Sequence, residues 1–578
     1  MSSAQANVPS ARRPLRLWPG VALVLVQCVL WFILPLFSSE AAGLGVMGGI
    51  LCGLLVILVW WAFLSRVPWR ERVGAIVLMV AAVAGTSFIL HQSIRGGMMG
   101  LMFFIYVIPI LGVALVVWAV TGRHLADGPR RAFLVVAILV ACCVFTLIRT
   151  DGLTGDADSD LHWRWTETSE ERLMAHAAAE AVPLGAAPEA EGTGADWPGF
   201  RGPDRDSILH GVRIGTDWSA SPPVELWRRP VGPGWSSFAV HGDLMYTQEQ
   251  NGDDEVVACY RVSTGEPVWK HRDPTRFYES NAGAGPRSTP TLSNGRAYTF
   301  GATGILNALD ARDGTVVWSR NAAADTERQI PMWGFSSSPL VVDDVVVVAA
   351  SGTLAGYDRE TGEKRWIGPN GGGGYSSPHL LTIGGVSQIL LLTSTGATSL
   401  APADGQLLWD YKPQPPGPRI VQPALTAEGD LLMHDADFAG TGMRRIAVAH
   451  GGAGWKVEER WISTGLKPYF NDFVVHQGHA FGFDGGILSC IDVKDGQRKW
   501  KGGRFGHGQL LLLPDQDLLL VLSERGELAL VQADTEKFTE LARVPGIEGK
   551  TWNHPVLAGG VLLARNSQEM AAFRLPVP

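Results

Sequence analysis

The sequence predicts an all-α transmembrane bundle of about five helices followed by an all-β propeller of eight four-stranded antiparallel blades. Three observations carry this prediction. Five long apolar runs precede residue 150, a self-similar unit of roughly 40–50 residues recurs after residue 196, and a hairpin with a turn glycine followed by tryptophan marks that unit.

A helix needs about 20 mainly apolar residues to cross the hydrocarbon. The runs 17–37, 43–64, 73–90, 97–120 and 132–148 meet or approach that length, whereas a cleaved signal peptide would be a single run. Arginines choose the orientation. Arg12, Arg13 and Arg16 precede the first run, Arg66, Arg70 and Arg72 separate the second from the third, and Arg123, Arg130 and Arg131 separate the fourth from the fifth. The positive-inside rule then puts the N-terminus in the cytoplasm and everything after the fifth run outside, which is the expectation for a multi-pass protein of the bacterial inner membrane with a periplasmic propeller. Polar groups in the runs are few, chiefly Gln27, Thr86, Ser87 and, at a run's end, His91 and Gln92. A transporter buries ionisable relay groups at mid-membrane, so this composition favours an anchor. His91 and Gln92 read as helix-end residues, with part of a quinone or headgroup site as the alternative.

The domains follow: 1–150 transmembrane, 151–195 a linker with room for a short helix over about 166–176, and 196–578 the propeller. Within the propeller the unit reads strand, Gly, strand, then Asp-x-x-(Thr/Asp)-Gly-x-x-x-Trp. Examples are Asp310 to Gly314 with Trp318, Asp358 to Gly362 with Trp366, Asp404-Gly405 with Trp409 and Asp492 to Gly496 with Trp500. The glycine supplies positive φ in the turn, and the recurrent ring wedges between neighbouring sheets. Glu225-Leu226-Trp227 reads as an orphan last strand that joins the final unit and closes the ring, removing open edges.

These repeats resemble the pyrroloquinoline quinone (PQQ)-type propeller repeat of quinoprotein dehydrogenases and of non-enzymatic relatives such as the outer-membrane assembly lipoprotein BamB. Asp196-Trp197-Pro198-Gly199-Phe200-Arg201-Gly202-Pro203-Asp204-Arg205-Asp206 and Lys550-Thr551-Trp552-Asn553-His554-Pro555-Val556 are similar to bacterial PQQ-binding-like β-propeller repeat proteins, many of them membrane-anchored.

In a propeller the starts of the innermost strands converge on one funnel. Here these starts include Trp235-Ser236-Ser237, Arg287-Ser288-Thr289, Tyr375-Ser376-Ser377, Phe470-Asn471-Asp472, His507-Gly508-Gln509 and Trp552-Asn553-His554. Rings, a cation and amides can hold a flat polar ligand, and Arg287, Asn471, Asp472, His507, Asn553 and His554 are the candidate binding residues. The bland alternative is that hydroxyls and amides at strand starts satisfy backbone groups. Asn471 beside Asp472 is the one funnel pair suited to a hard cation. The dehydrogenase resemblance implies PQQ, Ca²⁺ and Asp472 as catalytic base; against it, the vicinal cysteine pair Cys142-Cys143 lies in a membrane run and the propeller lacks long insertions. Cys259 and Cys490 read as free and buried, with one bridge as the alternative.

The net charge of −8, with no Lys/Arg-rich stripe, argues against nucleic acid. Besides the lipid bilayer, the expected partner is a protein or envelope polymer bound by a scaffolding module. The alternative function is a PQQ/Ca-dependent membrane-bound dehydrogenase oxidising an alcohol or sugar.

Overall fold

The computed structural model describes residues 15–34, 39–179, 185, 197–435, 442–452 and 454–578. The end of the first apolar run, Arg12 and Arg13, and most of the Ala/Glu/Pro/Gly-rich stretch before residue 196 lie outside the described residues. The chain forms two compact units.

In the helical unit, Gly43–Leu64, Trp69–Ile89, Met102–His124 and Asp127–Leu147 are long and apolar enough to cross a membrane, and Trp18–Ile33 is a shorter apolar helix. The fourth run starts its helix later than its hydropathy suggests, because Met98 and Met99 take left-handed backbone (φ 50° and 56°) and interrupt the turn. The core centres on Trp60, Trp61 and Trp118. A Cβ on Gly53 would lie 2.8 Å from Pro109 Cα, so a residue without a side chain sets the close approach of the second and fourth long runs. His91 caps the short helix Gln92–Gly96, accepting from the Ser93 N–H. The unit also contains a hairpin of Ile148–Leu153 with Ser159–Trp163.

The second unit is a ring of eight four-stranded antiparallel sheets. From the axis outward, blade one runs Ala239–His241, Leu244–Asn251, Asp254–Arg261 and Pro267–Asp273. The inner strands of blades two to seven are Thr291–Ser293, Leu340–Val342, His379–Ile383, Ala424–Leu425, Val474–His476 and Gln509–Leu513. Blade eight takes Val556–Ala558, Val561–Arg565 and Glu569–Arg574 from the end of the chain and its outer strand, Val224–Pro230, from the start. Ring closure therefore occurs where the orphan Glu225-Leu226-Trp227 strand implies it. The helix Ser169–Ala179 precedes the ring, its Thr168 hydroxyl accepting from the Glu171 N–H while the Glu171 carboxylate accepts from the Thr168 N–H. All six cysteines are free, and Cys259 and Cys490 are buried in blades one and six.

The repeated glycine and tryptophan meet across blade boundaries. Trp269 of blade one lies on Gly314, the turn glycine of blade two, where an added Cβ would come within 2.5 Å of the ring. Trp227 meets Gly265, Trp318 meets Gly362, Trp366 meets Gly405 and Trp461 meets Gly496 in the same way. Each indole N–H then donates to a carbonyl in the turn it covers: Trp269 to Ala311 (3.0 Å), Trp318 to Arg359 (3.0 Å) and Trp500 to Asp534 (2.7 Å). Trp409 is an exception, donating to Gln388 of its own blade at 2.6 Å, because the outer hairpin of blade five lacks the Asp-x-x-x-Gly turn.

Gly314→Ala meets two penalties, a Cβ at φ +75° and a clash with Trp269, so it is expected to destabilise the propeller by roughly 1–3 kcal/mol. Trp318→Phe keeps most of the packing and loses one hydrogen bond, about 1 kcal/mol. Urea unfolding followed by tryptophan fluorescence checks both the sign and the order.

Candidate functional site at the propeller axis

The starts of the inner strands form a belt of hydrogen bonds running from blade to blade. The Ser237 N–H donates to Thr289 Oγ1 (3.0 Å), Thr289 N–H to Ser338 Oγ (3.0 Å) and Ser338 N–H to Ser377 Oγ (2.9 Å). With the Gln422 amide turned to satisfy both its groups, Ser377 N–H donates to the Gln422 side-chain oxygen at 3.2 Å. Gln422 N–H in turn donates to Asp472 Oδ1 at 2.6 Å. Asp472 thus holds in blade six the place that a hydroxyl holds in blades two to four. Burial pushes its carboxyl above the ordinary range, while Arg201 and the Gln422 N–H pull it back.

Inside the belt the axis is filled by the chain's own arm, residues 197–209. Trp197 forms an antiparallel bridge with Val240 of blade one, and Ile208 a parallel bridge with Leu512 of blade seven. Arg201 donates through Nη2 to Phe473 O (2.9 Å) and through Nε to Ser207 Oγ (2.7 Å), with the Asp472 carboxylate 3.5 Å away. Ser207 Oγ reaches His554 Nε2 at 2.8 Å, and His554 Nδ1 lies 2.8 Å from Pro555 O. The carbonyl requires a proton on Nδ1, so Nε2 accepts from Ser207 and the ring is neutral. Arg205 donates to Pro339 O and Ser338 O of blade three at 2.9 and 3.1 Å. Arg201, Arg205 and Ser207 all take positive φ (64°, 58° and 67°), a cost of order 1–3 kcal/mol each that these fixed partners hold in place.

The sequence candidates thus divide into groups. Asp472 and His554 come together through Arg201 and Ser207. Asn471 sits beside them with Oδ1 accepting from Tyr469 N–H (3.0 Å) and a buried Nδ2 that has no partner among the described residues. Arg287 is apart from these, donating to the carbonyls of Trp333 (3.1 Å), Ala284 (3.1 Å) and Gly283 (2.9 Å) with its guanidinium 4.8 Å from the Phe277 ring. Asn553 donates to Gly234 O and Ser236 O at 3.3 and 2.7 Å.

His507 belongs to an aromatic mouth formed by the starts of the inner strands, where it is buried beneath Gly155. Rings gather there: Trp235 and Trp552 at 4.8 Å, Trp552 and Phe470 at 4.7 Å, Phe470 and His507 at 5.6 Å, and Trp333 and Tyr375 at 5.0 Å. Lys550 Nζ lies 4.5 Å from the Trp552 centroid and 5.2 Å from that of Trp235, in cation–π contact with both. Glu524 organises this side of the mouth. It accepts from Trp552 Nε1 (2.7 Å), His507 N–H (3.1 Å) and Gly155 N–H (2.6 Å). Sequence reasoning missed Glu524, whose only signal is a carboxylate in the tight Ser523 to Gly526 turn between two apolar strands, and it missed the roles of Arg201 and Arg205. Among the described residues, no group of three or more His, Cys, Asp or Glu could hold a metal ion.

This geometry defines a class, an eight-bladed propeller of PQQ-type repeats with a self-filled axis. Comparison with known proteins makes the likeness particular: residues 253–501 match the family model described as outer membrane protein assembly factor BamB. The chain is similar to BamB of Shewanella oneidensis, 32% identical over 114 residues that cover 19% of this chain and 27% of that protein. It is similar to BamB of Yersinia pestis, 26% identical over 324 residues, 53% of this chain and 70% of that protein. A third likeness is to quinohemoprotein alcohol dehydrogenase ADH-IIG of Pseudomonas putida, 31% identical over 132 residues, 21% of this chain and 17% of that protein. The chain therefore carries a BamB-like propeller preceded by helices able to span a membrane.

Burial away from water pushes His554 and His379 down to about 3 and His434 to about 4. Each is neutral in the fold, but once unfolded binds a proton near pH 6.5. As pH falls below about 6.5 the unfolded state takes up protons first, so stability is full above that pH and declines by about 1.4 kcal/mol per pH unit per histidine down to the folded pKa. Urea midpoints are expected to drop between neutral pH and about pH 5, with His379→Gln giving a shallower slope.

Proposed function

We propose that this chain is a membrane-anchored propeller of the bacterial inner membrane, facing the periplasm, that binds a protein or envelope-polymer ligand at the aromatic mouth of its funnel. The observation that carries this reading is the position of Asp472. Both of its oxygens are engaged inside the propeller, one by the Gln422 N–H and the other beside Arg201, and Asn471 Oδ1 is turned to a backbone N–H. A Ca²⁺ site needs six or more oxygens converging on one point, and the Arg201 guanidinium 3.5 Å from the Asp472 carboxylate would repel a cation there. The residues present therefore do not suit PQQ with Ca²⁺, and the likeness to a quinohemoprotein dehydrogenase supports the repeat type more than the chemistry. Half-buried Trp235, Trp552, Phe470, Trp333 and Tyr375 instead offer flat apolar area with polar edges, the surface that binding hot spots favour. The similarity to BamB proteins, named for outer membrane assembly, supports a protein ligand.

Crosslinking in intact membranes is expected to capture a partner with the wild-type chain and to lose most of it with Trp552→Ala and Trp235→Ala together. The same yield from the double variant would reject the mouth as the binding surface. PQQ with Ca²⁺ added to the purified full-length protein is expected to leave its tryptophan fluorescence unchanged. Saturable quenching abolished by Asp472→Asn would restore the dehydrogenase reading.

A further inference from the structure

The arm follows a rule. In an antiparallel hairpin the residue pair that closes the turn is hydrogen-bonded, the next pair inward is not, and the amide of that next residue points away from its neighbour strand. At the axis such amides face the channel. On blade one this residue is Val240, whose N–H donates to Trp197 O (2.7 Å) and whose carbonyl accepts from Trp197 N–H (3.0 Å). On blade two it is Leu292, donating to Pro198 O at 2.7 Å. On blade seven Leu512 donates to Ser207 O and accepts from Leu209 N–H, each at 2.9 Å.

The equivalent residues of blades four, five and six are Thr382, Leu425 and Val475. Their channel-facing amides, and that of Leu380 one step further in, have no hydrogen-bond partner among the described residues. These strands also differ in burial. The inner strand of blade seven is wholly buried, whereas Leu380 and Thr382 are exposed and Leu425 and Val475 partly so. Together they line a cavity of about 1030 Å³, to which Ile208, Pro423 and Val474 add apolar wall. His379 also lines it, a neutral imidazole 5% exposed whose buried Nδ1 has no partner among the described residues. Arg445 contributes little net charge because Asp430 (2.7 Å) and Glu428 (3.3 Å) neutralise it.

We propose that the inner strands of blades four to six bind an extended, uncharged peptide segment of a partner protein, supplied in trans, by the backbone pairing that the arm makes in cis on blades one, two and seven. Unpaired strand edges are templates for an added strand, which would seat about 4.8 Å from the edge it joins. The wall mixes apolar residues with Arg201, Asp204, Asp206, Asp492 and Lys494, charges of both signs that nearly balance, so it favours a segment without net charge, of alternating small apolar and hydroxyl side chains, and His379 offers one buried polar contact. This rests on the reading of the propeller as a protein-binding module and gives the partner a chemistry at a second surface, separate from the mouth.

The test uses the full-length protein in detergent and a fluorescent peptide of alternating valine and serine. Anisotropy is expected to show saturable binding that weakens about tenfold or more when alternate peptide amides are N-methylated, since each lost N–H removes a pairing bond. Thr382→Pro, which removes a channel-facing N–H and leaves the pairing with Val386–Thr393, and Ala424→Trp, which fills the cavity, are expected to weaken it similarly. Unchanged circular dichroism and urea midpoint show that a variant is folded. No binding to the wild type, equal binding of the N-methylated peptide, or full binding by both folded variants would overturn the proposal. If partner capture through Trp552 persists in any of those cases, only this site fails and the mouth reading stands.

Discussion

The propeller depends on an indole ring laid on a glycine. Each four-stranded sheet has an apolar face too small to be stable alone, so the ring holds only if every sheet is locked to the next. The outer-strand tryptophan does this twice, by packing where no Cβ is tolerated and by donating its N–H to the carbonyl of the same turn. Glycine is required there for its positive φ and again for its missing side chain, which is why Gly and Trp recur together. Near the axis the side-chain belt from Ser237 to Asp472 provides a second lock between neighbours, so blades one to four, and blades five and six, are joined at both radii.

This two-radius construction explains what could be read from the sequence. The outer lock uses residue types with few alternative uses, Gly in a turn and Trp four residues on, at a fixed spacing; blade count and ring closure at Glu225-Leu226-Trp227 followed from it. The inner lock uses serine, threonine, glutamine and aspartate, which serve equally well as ligand donors, so composition left the belt and a binding site as alternatives. The register, which no composition reveals, sets Asp472 opposite the Gln422 N–H. The arm was legible as a motif but not as a structure. Residues 197–209 have no strand or helix periodicity, and their partners, from Val240 to His554, are hundreds of residues apart in the chain.

The axis also shows how buried charge is accommodated in a mostly apolar ring. Arg201 and Arg205 direct their donors at backbone carbonyls of blades three and six, and Arg565 does the same at Gln248 O (3.0 Å) and Gly232 O (2.9 Å), joining blade eight to blade one. A planar five-donor group can answer several carbonyls at once, and burying it without those acceptors would be prohibitive. Burial and the neighbouring Arg201 charge bring Arg205 down to about 10. These arginines act as rivets between segments distant in sequence and leave the chemistry of the mouth to its rings.

The arm has a consequence for how the molecule is built. It touches blades one, two, three, six, seven and eight, and the strand that closes the ring pairs Val224–Pro230 with Glu569–Arg574. A segment bonded to six of the eight blades is not readily threaded into a collar that has already closed. The arm must wait in the open arc while successive blades gather around it, and the final strand acts as a clasp fastened over a core already in place.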